Sequence, residues 1–238
     1  MTLEGQTKDQ IAISRLREYE PPEGFYVAES GGKDSACIDD LVVRAGVKFD
    51  AHYSVSPIDP QETRDFLKQF YPHVRWDFYA RGFWRQFLSE GPPMRMSRWC
   101  CGFIKEAGGT GRIKVMGMRR AESNARKDYQ VYQPHCKLEH TDWLLPIVDW
   151  SDNDVWQYIR EHNLPVNPLY AEGYKRLGCV LCPYESAKMT QRHIERFPKI
   201  AHNWRSAMDH YFDKRIERGT PLPYQTKEDF WQWWISRK

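Results

Sequence analysis

Gly24-Phe25-Tyr26-Val27-Ala28-Glu29-Ser30-Gly31-Gly32-Lys33-Asp34-Ser35 is the stretch on which the reading of the fold turns. Residues 24–29 read as a short strand, Gly31 and Gly32 turn the chain, and residues 34–45 read as a helix with Ile38, Leu41 and Val42 at helical spacing. A strand that passes through a glycine turn into a helix aims backbone N–H groups and the positive end of the helix dipole at one spot, which is an anion site. Gly31 and Gly32 allow close approach of phosphate oxygens, Lys33 adds a positive charge, and the hydroxyls of Ser30 and Ser35 add donors. The spacing is not that of G-x-x-x-x-G-K-S/T, because the lysine here precedes an aspartate. The competing reading is a polar turn with Asp34 as a helix cap; the full six-residue string in this setting favours the phosphate.

Outward from this loop, residues 47–55 alternate like a second strand and 61–71 follow Pro60 as a helix. Residues 74–79 and 112–118 read as further strands, 83–88 and 149–162 as helices, and two helical segments, 187–218 and 226–237, finish the chain. Strand–helix alternation predicts an α/β fold with parallel strands and crossover helices. The expected organisation is an N-terminal helix over 1–20, a nucleotide-binding domain over 21–185 and a C-terminal helical extension over 186–238.

The 238 residues carry 35 Lys and Arg against 32 Asp and Glu, a net charge of +3, which excludes a strongly basic nucleic-acid binder. The first residues lack an apolar run of the secretory type, and no stretch approaches the roughly 18 apolar residues of a membrane span. A cytoplasmic location is expected, and disulfides are rare there, so six cysteines call for another explanation.

Four of them form two tight pairs, Cys100-Cys101 and the C-x-x-C of Cys179 and Cys182. Neighbouring thiolates do not easily share one zinc ion, whereas a cluster offers each a separate iron. Four thiolates match a [4Fe–4S] cluster; tetrahedral zinc and a redox dithiol at Cys179 and Cys182 are the alternatives. Cys37 reads as core, and Cys136 as a candidate reactive thiol. Glu29, Asp50 and Asp59, near strand ends, are candidate metal or hydroxyl contacts.

The string Ser30-Gly31-Gly32-Lys33-Asp34-Ser35 resembles the S-G-G-x-D-S signature of the PP-loop ATP pyrophosphatases. The resemblance implies ATP as ligand, cleavage between the α- and β-phosphates, magnesium, and pyrophosphate contacts from residues 30–35, with Lys33 and Asp34 in catalytic roles. The Cys-Cys pair followed by a distant C-x-x-C resembles the phosphoadenosine phosphosulfate (PAPS) reductase family, whose iron–sulfur members hold a [4Fe–4S] cluster on this arrangement. Gly117-Met118-Arg119-Arg120-Ala121-Glu122-Ser123 with Arg126 is similar to that family's G-x-R-x-x-D/E-S-x-x-R, and Asn167-Pro168-Leu169-Tyr170 continues the match, which covers residues 24–185. The implied fold is adenine nucleotide alpha hydrolase-like: a doubly wound, mainly parallel five-stranded sheet flanked by helices, with a helical C-terminal extension. Arg119 and Arg126 are then candidate nucleotide contacts, Arg119 also catalytic; the other reading pairs them with Glu122 and Asp128.

Two departures shape the functional expectation. The family's reductases use a cysteine near the C-terminus, and here none follows Cys182. Those reductases also tend to have a degenerate phosphate loop, and this one is intact. Both favour ATP-driven sulfur transfer by adenylylation over sulfonucleotide reduction with a thiol supplied in trans or by Cys136. A nucleotide-binding subunit of a sulfur-modification complex is the third reading. The partners expected are an adenine nucleotide, a sulfur donor or thiol reductant protein, a tRNA or DNA acceptor, and a second copy of the chain, with no membrane. The basic residues within 188–218, with Tyr211, Phe212, Trp231, Trp233 and Trp234 nearby, either track single-stranded nucleic acid or form helices with aromatics packed inward.

Overall fold

A computed structural model describes residues 5–134 and 141–236. Two compact units share the chain. One takes the residues up to Ser54, then Glu62–Asp77 and Ala107–Leu177; the other takes Val55–Gln61, Phe78–Glu106 and the chain from Gly178 onward.

The first unit is built on a sheet. Its strands are β1 (Phe25–Ala28), β2 (Phe49–Val55), β3 (Arg75–Phe78), β4 (Lys114–Val115), β5 (Tyr132–Pro134) and β6 (Asp142–Leu144), in the spatial order β3-β2-β1-β4-β6-β5. Strand β1 pairs in parallel with β2 and β4, and β6 in parallel with β4; β5 runs antiparallel to β6. The sheet thus has six strands rather than the expected five, β5 and β6 being three residues each and so too short to show alternation. Chain order reverses between β1 and β4, the switch point at which open α/β sheets bind ligands beyond their strand ends.

Phe25, Tyr26 and Val27 are buried, as a central strand requires. Helix α2 (Lys33–Ala45) buries Ala36, Cys37, Ile38, Leu41 and Val42 and ends at Gly46, whose φ of 69° closes the helix in a left-handed cap. Helices α1 (Lys8–Glu18) and α5 (Asp152–Glu161) pack against α2. Ser151 caps α5, its hydroxyl accepting from the Asp154 N–H at 3.2 Å. Helix α3 (Gln61–Phe70) completes this unit's helices. The strand expected over 112–118 pairs only at Lys114–Val115. Beyond it, Gly117 crosses the first turn of α2 so closely that a Cβ there would lie 2.8 Å from the carbonyl carbon of Asp34.

The second unit is helical: α4 (Phe83–Glu90), α6 (Ala187–Arg196), α7 (Pro198–Glu217) and α8 (Lys227–Ser236). The single helical segment expected over 187–218 is two helices. Phe197 precedes Pro198, and the proline ring pushes its predecessor out of the helical region, to φ −125° and ψ 58°. Trp204 is fully buried at the centre of Phe83, Trp84, Phe87 and Trp234. Tyr211, Phe212, Trp231 and Trp234 are buried too, with Trp233 half-buried, so these aromatics pack inward. Among the described residues no helix is long and apolar enough to cross a membrane.

Candidate nucleotide site and cysteine group

The turn between β1 and α2 has the geometry that its glycines predict. Gly31 has a φ of 72°, and a Cβ on it would meet Thr63 Cγ2 at 2.7 Å, so both backbone and space require glycine. Asn167 braces the turn, its amide donating to Gly31 O at 3.3 Å and to Thr63 Oγ1 at 3.2 Å. The N–H groups of Ser30 and Gly31 donate to Glu29 Oε1 at 2.8 and 2.7 Å; that of Gly32 donates to Ser35 Oγ at 3.2 Å, and that of Lys33 to the Tyr170 hydroxyl at 3.0 Å. The Ser35 hydroxyl donates to the same Glu29 oxygen at 2.5 Å. Glu29, a candidate metal or hydroxyl contact in the sequence, is thus bonded to the protein's own loop.

Four charged side chains meet at the start of α2. Lys33 Nζ lies 2.9 Å from Asp34 and 3.5 Å from Asp152, and Arg119 lies 2.7 Å from Asp34 and 2.6 Å from Asp152. Arg119 also donates to Trp150 O at 3.1 Å, and its side chain is 1% exposed. It reaches the loop through Asp34, and holds that carboxylate in place. The hydrogen bond from Arg119, with Lys33 beside it, keeps the Asp152 carboxyl below its ordinary range. Arg126 pairs with Glu122. Nothing in the local pattern of Asp152 marks it for this site, and the string Asn167-Pro168-Leu169-Tyr170 carries no local sign of the roles that Asn167 and Tyr170 take at the turn.

Asp50 and Asp59 are engaged by protein. Arg112 lies 2.5 Å from Asp50, which also pairs with His52, and the Arg112 hydrogen bond brings the Asp50 carboxyl down to about 2. His52 is held in turn by Asp77 at 2.9 Å. Asp59 accepts from Ser56 N–H at 3.1 Å and from Lys105 at 2.9 Å.

The four paired cysteines all belong to the second unit. Cys100 and Cys101 lie at the entry to a wide helical turn, Cys101–Lys105. The C-x-x-C turn is hung on three bonds: Val180 N–H to Ile58 O at 2.8 Å, Trp204 Nε1–H to Val180 O at 3.1 Å, and Leu181 N–H to His193 Nδ1 at 3.3 Å. Leu181, at φ 60°, bends the chain between the two cysteines. Cys100 is close enough to Cys101, Cys179 and Cys182 for each to push its thiol up, after the hydrogen bond with Cys101 and burial. That hydrogen bond pulls the Cys101 thiol down, helped by Arg98, which donates to Cys101 Sγ at 3.6 Å. Lys105 stands beside Cys101 and Cys179.

Among the described residues, no group of three or more His, Cys, Asp or Glu side chains is gathered for one metal ion. A single tetrahedral ion needs its donors around one point, whereas a four-iron cluster spreads its thiolates over four metals. Arg98 at Cys101 and Lys105 beside Cys101 and Cys179 give the cysteines cations that suit a group that is anionic once bound, as a cluster on four thiolates would be. Cys37 is buried core, as expected. Cys136 lies outside the described residues.

A glycine turn that leaves β1 at the switch point of a mainly parallel sheet ordered β3-β2-β1-β4-β6-β5 defines a doubly wound α/β protein with a candidate anion site at that point. Within that class, the chain belongs to the phosphoadenosine phosphosulfate reductase domain family, whose model matches residues 24–185. Two proteins of Methanocaldococcus jannaschii described as uncharacterized are 26% and 27% identical, over 86% and 89% of this chain and 50% and 46% of their own length. The chain thus spans about half the length of these relatives. Adenosine 5'-phosphosulfate reductase 2 of Bacillus subtilis is 39% identical over 72 residues, 30% of each chain. Among solved structures, PAPS reductase from Candida auris superposes with a TM-score of 0.53 at 17% identity, over 75% of this chain and 90% of that one. FMN adenylyltransferase of Candida glabrata with ATP gives 0.54 at 16%, over 73% and 60%. At such identities the likeness is one of fold.

Proposed function

We propose that the chain is an enzyme of sulfur metabolism that binds ATP at residues 30–35 and uses it to adenylylate a substrate oxygen, preparing that oxygen for displacement by sulfur. The observation that carries this reading is the complete phosphate loop with its ion cluster: Gly31 in the one conformation the turn allows, Lys33 at the helix start, and Asp34 fixed by Arg119. A substrate oxygen attacks the α-phosphorus, one O–P bond forms, the bond to the bridging α–β oxygen breaks, and pyrophosphate leaves. The loop amides, the start of α2 and Lys33 are suited to take the charge that develops on the leaving pyrophosphate. Magnesium would enter with the phosphates. A nucleophilic sulfur donor at the sulfide level then attacks the adenylylated centre, the bond to sulfur forms, the bond to the AMP-bearing oxygen breaks, and AMP leaves. Cys100, Cys101, Cys179 and Cys182 would hold a [4Fe–4S] cluster, which when bound can carry sulfur or electrons. Arg98 and Lys105 would offset its charge, and Trp204 and Ile58 hold the C-x-x-C turn in place for it.

A sulfonucleotide reductase is the second reading, favoured by the local identity to adenosine 5'-phosphosulfate reductase 2. Anaerobically prepared protein, assayed for iron and sulfide, separates the two when given magnesium and ATP, and separately PAPS with a thiol reductant. AMP and pyrophosphate, lost in Lys33→Ala, are the expected products; tRNA or DNA is then supplied as acceptor. Sulfite from PAPS with ATP untouched would replace the proposal by the second reading.

A further inference from the structure

The donors that a phosphate would use are already taken by the protein. Glu29 Oε1 accepts from Ser30 N–H, Gly31 N–H and the Ser35 hydroxyl, and the Tyr170 hydroxyl accepts from Lys33 N–H. Glu29 is 5% exposed, and its other oxygen, Oε2, is buried without a hydrogen-bond partner. An anionic side chain thus sits inside an anion site, half of it unsatisfied. Phosphate oxygens need the same N–H groups, and a second negative charge beside a buried carboxylate is unfavourable in a low-dielectric setting.

We infer that Glu29 is a resident stand-in for phosphate: when a nucleotide enters, Glu29 yields the Ser30 and Gly31 N–H groups and takes up a proton. This rests on the nucleotide reading of the loop proposed above. The proton comes from solvent and converts the carboxylate to a neutral acid, so that Glu29 changes from an acceptor competing with phosphate to a hydroxyl donor able to face it. Its surroundings support the exchange. Burial pushes the carboxyl up to about 7, against the pull of Ser35 and the loop amides, and Asp39 of α2 adds to the push. Asp39 is itself held by His73 at 2.8 Å. Tyr71, after α3, is pushed up by burial and then by Glu29 and Asp39. Lys33, the cation in the loop, is turned to Asp34 and Asp152.

The test is calorimetric titration of the full chain with the magnesium complex of α,β-methylene ATP. Wild type, Glu29→Gln and Lys33→Ala are compared between pH 6 and 8.5, in paired buffers of different ionisation enthalpy. Glutamine keeps an oxygen for the loop amides and removes the charge. The expected result is that wild type takes up close to one more proton than Glu29→Gln above pH 7. Its affinity should then weaken about tenfold per pH unit relative to the variant, the two converging at pH 6. Equal proton counts and parallel pH profiles would make Glu29 a structural brace and overturn the inference. Weaker binding by Glu29→Gln at every pH would overturn it as well, by making the carboxylate a ligand of the nucleotide's metal. If Glu29→Gln does not fold, the wild-type count decides, and no uptake beyond that of the nucleotide itself overturns the inference. Wild-type binding that Lys33→Ala loses shows that the nucleotide reading stands even where the proton coupling fails; absence of wild-type binding removes both.

Discussion

At neutral pH the Glu29 carboxyl is caught between burial, which favours its neutral form, and the loop donors, which favour its charge. In the folded chain it gives up its proton at about 7, against 4.5 in the unfolded one. Between those values the native state binds the proton that the unfolded chain has released. Stability therefore falls as pH rises through this window, by at most about 3 kcal/mol, and changes no further above it. Glu29→Gln should remove that slope: relative to wild type, urea unfolding should show it unchanged near pH 4.5 and more stable at pH 7.5. A difference independent of pH would refute the linkage. The loop around Glu29 was legible because its residues are adjacent and each has a local job. Asp152, Asn167 and Tyr170 were not, because they reach the loop from more than a hundred residues along the chain, and nothing local about an aspartate at a helix start tells that it will meet Lys33 and Arg119.

Among the elements, β4 and α2 carry the tightest constraint. Strand β4 was expected over seven residues and pairs over two, because after Val115 the chain leaves the sheet to pass over the first turn of α2. The contact at Gly117 is with the backbone of Asp34, which cannot yield without moving the phosphate loop. Gly117→Ala should cost about 1–3 kcal/mol in urea unfolding and weaken nucleotide binding with it. Unchanged binding would mean that the loop tolerates the shift. The helices were easier to read than the strands. Their apolar spacing repeats over several turns, whereas β5 and β6 are three residues each. The break between α6 and α7 could have been read from Pro198, since a proline disfavours the helical conformation in the residue before it.

In the whole molecule, the chain passes back and forth between two units, so that the cysteine pairs and the C-terminal helices come to share one of them. Trp204 centres that unit and donates to Val180 O, within the C-x-x-C turn. Trp204→Ala should cost about 3–5 kcal/mol and speed amide exchange in α4, α7 and α8. Trp204→Phe keeps most of the burial but strands the Val180 carbonyl, at about 1–3 kcal/mol. If the cluster proposal holds, both variants lose iron on anaerobic preparation, the alanine variant more. Exchange in those helices unaffected by Trp204→Ala would refute the anchoring role.

The sequence alone determined what local chemistry can determine. A strand that passes through glycines into a helix builds a tight turn with its N–H groups at the helix start, alternation of strands and helices leads to a mainly parallel sheet, and two tight cysteine pairs stand out from the rest of the chain. Tertiary structure alone decided the rest. It set Arg119 on Asp34 rather than in the open, turned the C-terminal aromatics inward, and showed that the loop's donors are already held by Glu29 and Tyr170. The reason is physical: backbone preference acts over neighbouring residues, while the partner of a buried charge or donor is whichever group the packing brings to it.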